Sequence, residues 1–413
     1  MKPSPGLRAA LPALLLIVLP QVGTAAVETV TIDGIPHIRN SAEPSLGTRR
    51  IELEELWRAG GDDEEVFFGV IADALADSLG NLYLLDRQLC QIFVYSPSGE
   101  FVRVLGREGE GPGEFRSPTD LVWMPAGHLG IIHRAPGVVT LVDTLGTPQG
   151  SLRLHTPDGA ASSARLRAML YRGGTLAASG QERTVVNERL ERRRFLALYA
   201  PDGTEHLRLM EAGTGFDFEN HRYLERDDYF IDRGGWTLGT DGLVYLAPER
   251  DHYRIDVFRP DGQCLRVIER DYEPHRRTAE EKAAAANVSM SIHGRRVDVE
   301  AIIEETDPCI ARLFCHPSGH LGVIHSHSNQ DLPEGVFIRY DIFDPAGEYL
   351  ECVEVASPGD VQRDRLIPLA DGRYVLLRGI HDAIDAMFGA GDPAAAADEA
   401  PAPLEVICLA PAS

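Results

Sequence analysis

Nearly the same seven residues occur twice in this chain, as GHLGIIH at 127–133 and as GHLGVIH at 319–325. Both belong to a longer unit: a turn ending in glycine, a short apolar strand, a connection, a second strand, another glycine turn and a third strand. In the fullest copy, DSLGNLYLLDRQLCQIFVYSPSGEFVRVLG at 77–106, apolar residues alternate with their neighbours at the two-residue period of β-strands. A recurring unit of this kind constrains the fold more than any local motif does.

The unit occurs six times, with first glycines at Gly80, Gly127, Gly174, Gly242, Gly319 and Gly372. A further apolar strand precedes these glycines, so each unit forms four antiparallel strands in roughly 40–50 residues, the size of a propeller blade. The sixth unit ends after its third strand, whereas RRIELEELWRAGG at 49–61 has no unit of its own. We therefore predict an all-β, six-bladed β-propeller in which this N-terminal segment supplies the outermost strand of blade six and leaves no open edge.

The N-terminal residues indicate export. A positively charged start precedes an apolar run at 9–20 and a small-residue cleavage site, which is typical of a secretory signal peptide. We expect residues 1–26 to be the signal peptide, 27–48 a linker and 49–413 the propeller.

One insertion predicts a helix, and one cysteine pair predicts a disulfide. The insertion at about 274–310 contains Thr278 and Glu281, which have the spacing of a capping box ahead of an alanine-rich stretch. This pattern predicts a short helix before blade five, packed on one rim of the propeller. Of the six cysteines, Cys309 and Cys315 are the closest in sequence and the only pair that we nominate as a disulfide.

The charge balance excludes some partners. Asp and Glu outnumber Lys and Arg by 63 to 40, which gives a formal net charge of −23. Because an acidic protein is repelled by nucleic acid and by anionic membranes, we expect neither as a partner. No segment after the signal peptide has the ~20 apolar residues that a transmembrane helix needs. We expect a periplasmic or extracellular protein with no membrane span in its mature chain.

The stretches DSLGNLYLLD…IFVYSPSGEFVRVLGREGEGPGEFRSPTDL (77–121) and DGLVYLAPERDHYRIDVFRPDGQCLRVIE (241–269) resemble NHL repeats. More narrowly, the chain resembles the exported bacterial six-bladed propeller proteins of that type, over roughly residues 49–411. The resemblance implies a fold, because propellers serve many unrelated functions. It also implies that Asp86 takes the position where NHL-type blades often carry an acid that hydrogen-bonds the adjacent loop.

The candidate site follows from one counting rule. The residue six positions after the first glycine of a unit lies at the end of the second strand, and in blades one, two and five this residue is Asp86, His133 and His325. Blades two and five face each other across the ring. Two imidazoles and a carboxylate that converged at the channel mouth would suit calcium or zinc. On the other interpretation these residues stabilise loops, and the histidines match because the blades match. The candidate ligand-binding residues are Asp86, Arg87, His133, Arg134, His325 and His327.

Two functions remain open at this point. The first is a non-catalytic binding module, without a cofactor, whose top-face loops engage a protein, a peptide or a glycan. Its arginines would hold a carboxylate or an acidic sugar. The second is a metal-dependent hydrolase or lyase that resembles the propeller lactonases. The equivalent positions in blades three, four and six are Gly180, Pro248 and Arg378, which are not metal ligands, and this favours the binding module.

Overall fold

The computed structural model describes residues 27–61, 66–133, 137–186, 189–217, 220–229, 234–288, 290–292, 295–316, 318–388 and 403–412. The proposed signal peptide lies outside these residues. Three strands precede the first complete blade: β1 (Val27–Ile32), β2 (Ile35–Asn40) and β3 (Thr48–Gly60).

The six predicted blades are present as small antiparallel sheets around a central channel. Blade one contains β4–β7 (Ile71–Ala76, Leu82–Asp86, Gln91–Tyr95, Phe101–Leu105). Blade two contains β8–β11 (Pro118–Met124, His128–His133, Val138–Val142, Pro148–Arg153). Blade three contains β12–β15 (Arg165–Arg172, Thr175–Val186, Arg189–Tyr199, Glu205–Ala212). Blade four contains β18–β21 (Trp236–Leu238, Val244–Leu246, Arg254–Phe258, Cys264–Arg270). Blade five contains β25–β28 (Ile310–Cys315, Leu321–His325, Val336–Phe343, Tyr349–Ala356), and blade six contains β29–β31 (Arg365–Pro368, Tyr374–Arg378, Glu405–Pro411).

The tight turns between strands follow directly from the repeated sequence. In blade one, Asp77 Oδ1 accepts hydrogen bonds from the backbone N–H groups of Leu79 at 2.9 Å and Asn81 at 2.8 Å. Gly80 in the same turn has φ +82°, a conformation that glycine adopts at no steric cost. The Asp-x-x-Gly sequence of this turn is therefore typical of a hairpin turn.

The ring closes through β3, as the sequence predicts. Residues Leu53–Gly60 pair antiparallel with β31 and form the fourth strand of blade six. The start of the same strand, Thr48–Glu52, pairs parallel with β28 of blade five instead. Blades five and six therefore share one eight-stranded sheet, which goes beyond the expected closure.

The expected linker at 27–48 is instead largely strand. Strands β1 and β2 form a hairpin, and β2 pairs parallel with β21 at the outer edge of blade four. Buried Asn40 fixes this hairpin between two blades: its Nδ2 donates to Glu269 O and Gly347 O at 3.0 Å, and its Oδ1 accepts from Tyr349 N at 2.8 Å. The segment therefore braces blade four against blade five.

Six hydrophobic clusters of described residues form the core, and each lies between two neighbouring blades. The cluster between blades six and one contains Trp57 of β3, whose ring stacks on Tyr95 with centroids 5.2 Å apart. Because every blade contributes to two clusters, each blade is stabilised by both of its neighbours.

The insertions lie on the face of the blade-to-blade crossovers. The predicted helix is present as α2 (Ala279–Ala285), and its capping box with Thr278 and Glu281 is confirmed. The remaining inserted elements are β16 (Phe216–Asp217), β17 (Arg222–Leu224), α1 (Glu225–Asp228), β22 (Met290–Ile292), β23 (Arg295–Val297), β24 (Glu300–Ile302) and α3 (Ile380–Phe388). None of the helices in the described part of the chain is long and apolar enough to span a membrane.

An ion-pair network joins the insertion before blade four to the one before blade five. Arg277 donates from both Nη atoms to Glu225 at 2.8 Å, and its Nε donates to Asp307 at 2.7 Å. Strand β17 also pairs parallel with β24. The two insertions therefore form one connected cap over blades three to five.

The proposed Cys309–Cys315 disulfide is wrong, because all six cysteines are free. Cys315 is the last residue of β25 and Cys309 directly precedes the same strand. An extended strand rises about 3.3 Å per residue, so the two ends of one strand are far beyond the reach of a disulfide.

Replacement of Trp57 tests the ring closure. We expect Trp57→Ala to lower the free energy of unfolding by about 3 kcal/mol, because it empties a buried ring site between the closing strand and blade one. Leu56→Ala, at the neighbouring exposed position, should change it by less than about 0.5 kcal/mol. Urea unfolding followed by circular dichroism measures both, and equal losses would contradict this packing of β3.

Candidate functional site in the central channel

Asp86 lies at the end of β5 and is completely buried. Its Oδ2 accepts from the backbone N–H of Gly69 at 2.7 Å, and its Oδ1 accepts from those of Gln88 and Leu89 at 2.9 Å each. Four such donors, Val70 N included at 3.3 Å, saturate the carboxylate. Asp86 therefore stabilises the loops at its own strand end, in agreement with the resemblance to NHL repeats.

His133 lies at the end of β9 and is bonded within its own blade. Its Nε2 is 2.8 Å from Thr140 Oγ1, and burial lowers the pKa of its imidazole. Arg134 lies outside the described residues. Arg87 lines the central channel, while its backbone N–H donates to Val70 O at 2.9 Å.

His325 ends β26 and is only 6% exposed. Its Nδ1 is 3.0 Å from the hydroxyl of Tyr272, and its Nε2 is 3.5 Å from Asp341 Oδ1. The backbone N–H of His327 donates to the same tyrosine hydroxyl at 3.2 Å, and His327 Nε2 is 3.0 Å from Glu273 O. Both histidines are therefore engaged at the interface between blades four and five.

Asp341 is the centre of that interface. It is fully buried, accepts from the hydroxyls of Tyr253 and Tyr349 at 2.7 Å each, and forms an ion pair with Arg270. Burial acts to raise the pKa of Asp341, but His325, Arg270 and the hydrogen bond from Tyr253 together hold it below its ordinary value. This charge is satisfied by its neighbours, so its role is structural.

The proposed metal ligands Asp86, His133 and His325 are not brought together. Each one is bonded within its own blade or at its own blade interface, and no three His, Cys, Asp or Glu side chains converge elsewhere in the described ranges. The physical reason is the position of the second strand, whose side chains point between blades. The channel is lined mainly by the first strand of each blade.

A different counting rule finds the channel-lining polar residues. The residues seven positions before the six first glycines are Asp73, Asp120, Arg167, Gly235, Arg312 and Arg365. The five charged ones, which we call the charged level, all line a channel cavity of about 560 Å³. The count forward from the glycines reaches the second strand, so these residues were not among the sequence-predicted candidates. The spacing from the repeated glycines is sufficient to identify these residues.

The two acids of the charged level meet between blades one and two. The backbone N–H of Leu121 donates to Asp73 Oδ2 at 3.0 Å and to Asp120 Oδ1 at 3.2 Å, so both carboxyl groups share one donor. Burial, followed by the adjacent carboxylate of Asp73, raises the pKa of Asp120 well above its ordinary value. Because the two carboxyl groups are adjacent and Asp120 is buried, Asp120 releases its proton at a higher pH than a free aspartate does.

The three arginines of the charged level, on blades three, five and six, outnumber its two aspartates. Arg312 is exposed to the lumen, and its charge acts to lower the pKa of Asp120. No hydrogen bond or ion pair joins the Arg312 guanidinium to any other described residue. The channel is therefore locally positive inside a strongly acidic protein.

A second ring of lumen residues lies below the charged level. Two or three residues further along the first strands, the channel is lined by Leu75, Leu170, Phe314 and Ile367, which we call the apolar level. Two residues of strand correspond to about 6–7 Å, so one end of a small ligand can reach each level.

The fold and this channel define a six-bladed β-propeller with a charged lumen. A sequence family described as "6-bladed beta-propeller" matches residues 64–123, which confirms the resemblance to propeller proteins. No curated protein matches the chain.

Several solved structures are similar to the chain at low sequence identity. A Bacteroides fragilis protein named as exported has 11% identity, and the match covers 88% of this chain and 99% of that one, with a TM-score of 0.49. Virginiamycin B lyase of Staphylococcus aureus has 11% identity, with 78% and 81% covered and a TM-score of 0.39. The calcium-binding protein regucalcin of Agrobacterium tumefaciens has 12% identity, with 89% and 97% covered and a TM-score of 0.40.

The raised pKa of Asp120 predicts a pH-dependent stability. Because its pKa is raised, Asp120 releases its proton at a higher pH in the folded protein than in the unfolded chain, where the pKa of aspartate is about 3.9. The free energy of unfolding should therefore fall as pH rises from that value toward the raised pKa. We expect Asp120→Asn to be more stable than the wild type at pH 7, by on the order of 1 kcal/mol, and to converge with it near pH 4.

Urea midpoints at pH 4 and pH 7 measure this difference. Glu100→Gln, at an exposed carboxylate on blade one, serves as the control and should follow the wild type at both pH values. A variant Asp120→Asn that stays parallel to the wild type at both pH values would show that no proton is held in the channel.

Proposed function

We propose that this protein is an exported, non-catalytic binding module that captures a small anionic ligand in its central channel. The observation that carries the proposal is the charged level, where Arg312 faces the lumen without a bonded partner among the described residues. Guanidinium groups form paired hydrogen bonds with carboxylates and phosphates. Export rests on the signal-peptide pattern at residues 1–26.

The distribution of charge supports an anion at this place. The net charge of −23 repels anions from most of the surface, whereas the arginines attract them to the channel. Charges that line a concave cavity act together on an ion inside it, so the attraction there is stronger than at a flat surface. The channel volume of about 560 Å³ also lies within the usual range of ligand pockets, about 300–1,000 Å³.

The metal-dependent alternative has less support. Its three proposed ligands are Asp86, His133 and His325, and each is engaged in hydrogen bonds at a separate place. The loops of the crossover face can still contact a larger peptide or glycan of which the anionic group is one part. The cap formed by the two insertions lies on that same face.

Removal of the Arg312 charge tests the proposal. Isothermal titration calorimetry with acetate, inorganic phosphate and 3-phenylpropionate should detect saturable binding of at least one anion at one site per chain. We expect Arg312→Gln to weaken that binding at least tenfold, because a charge-assisted hydrogen bond contributes about 1.5–3 kcal/mol.

The matched control is Arg153→Gln on the outer strand of blade two, which removes an exposed arginine away from the channel. It should bind as the wild type does. The proposal fails if none of the three anions binds saturably, or if the two variants lose affinity equally.

A further inference from the structure

We infer that the ligand of the channel is an organic acid with an apolar body, whose carboxylate contacts the charged level and whose apolar part occupies the apolar level. This inference rests on the proposed function and specifies its ligand class. It separates an amphiphilic carboxylate from inorganic anions and from sugar acids.

The arrangement of the two levels along the channel is the first argument. Asp73, Arg312 and Arg365 are each followed, two residues later on the same strand, by an apolar residue. Those residues are Leu75, Phe314 and Ile367, and all three line the same cavity as the charged residues. The polarity of the lumen therefore changes along its axis within about 6–7 Å.

The chemistry of the apolar level is the second argument. Leu75, Leu170 and Phe314 are only half-buried, so part of each side chain still faces the lumen. Covering this surface with an apolar group removes it from water, which is favourable in proportion to the area covered. A phosphate ion or a sugar acid would leave the apolar level in contact with water or with hydroxyl groups, and would gain nothing from it.

The carboxyl pair of Asp73 and Asp120 is the third argument. In its singly protonated form, the pair presents one O–H donor and several acceptor oxygens to the same cavity as the arginines. A carboxylate ligand can therefore accept hydrogen bonds from both sides of the charged level. A fully ionised carboxyl pair would repel such a ligand.

Five probes test the ligand class by calorimetry at pH 6: 3-phenylpropionate, its neutral amide 3-phenylpropionamide, acetate, D-galacturonate and inorganic phosphate. We expect 3-phenylpropionate to bind at least tenfold more tightly than acetate and galacturonate, and the amide to bind at least tenfold more weakly than the acid. Inorganic phosphate should also bind more weakly than 3-phenylpropionate.

Two variants locate the apolar part. Leu75→Asn and Leu170→Asn, on blades one and three, keep the branched shape of the side chain and make the apolar level polar. Each should weaken 3-phenylpropionate at least fivefold and leave acetate unchanged. Thermal unfolding by circular dichroism establishes that each variant is folded. The comparison of probes on the wild-type protein tests the ligand class independently of these variants.

The outcomes distinguish this inference from the proposed function. If acetate, phosphate or galacturonate binds as tightly as 3-phenylpropionate, the inference that the ligand has an apolar body is wrong, whereas the proposed anion site is still supported. If the amide binds as tightly as the acid, the charged level does not select an anion, and both proposals fail. Both also fail if none of the probes binds.

Discussion

The division of β3 between two blades is the constraint on which the rest of the structure depends. Its first five residues pair with blade five, and its remaining part completes blade six. Since both blades lose hydrogen bonds if this strand detaches, the ring closes through backbone pairing as well as side-chain packing. All six core clusters lie between blades, so an opened ring would expose the two apolar faces between blades six and one.

The N-terminal strand β2 also pairs with a blade. Strand β2 adds to the outer edge of blade four, so one side of the ring carries extra strands while blades one to three have four strands each. The exposed edge of a sheet is a site of unwanted pairing, and covering it with the chain's own strand removes that site. Asn40 makes the arrangement specific, because its side chain bonds to backbone groups of blade four and blade five together.

The sequence predicted the architecture because the repeat is a property of strands and turns, which local patterns encode. The β1–β2 hairpin was missed because it does not repeat, although Asp33-Gly34, with φ +52° and +82°, is a two-residue hairpin signal. The site was missed for a geometric reason. His133 and His325 match in position, but His133 is bonded within blade two and His325 at the interface between blades four and five, whereas the charged level lies on first strands.

The distinction between structural and ligand-binding charges follows from their partners. Asp341 is buried among Arg270, two tyrosines and His325, and its hydrogen-bonding capacity is used within the protein. Arg312 has the opposite setting, since it faces an open lumen and is bonded to no described side chain. A buried charge with a complete set of partners stabilises one conformation, whereas an exposed charge in a concave site keeps its hydrogen bonds for water or a ligand. The repeat places both kinds of residue at fixed counts from the same glycines, so the strand they occupy determines which role they take.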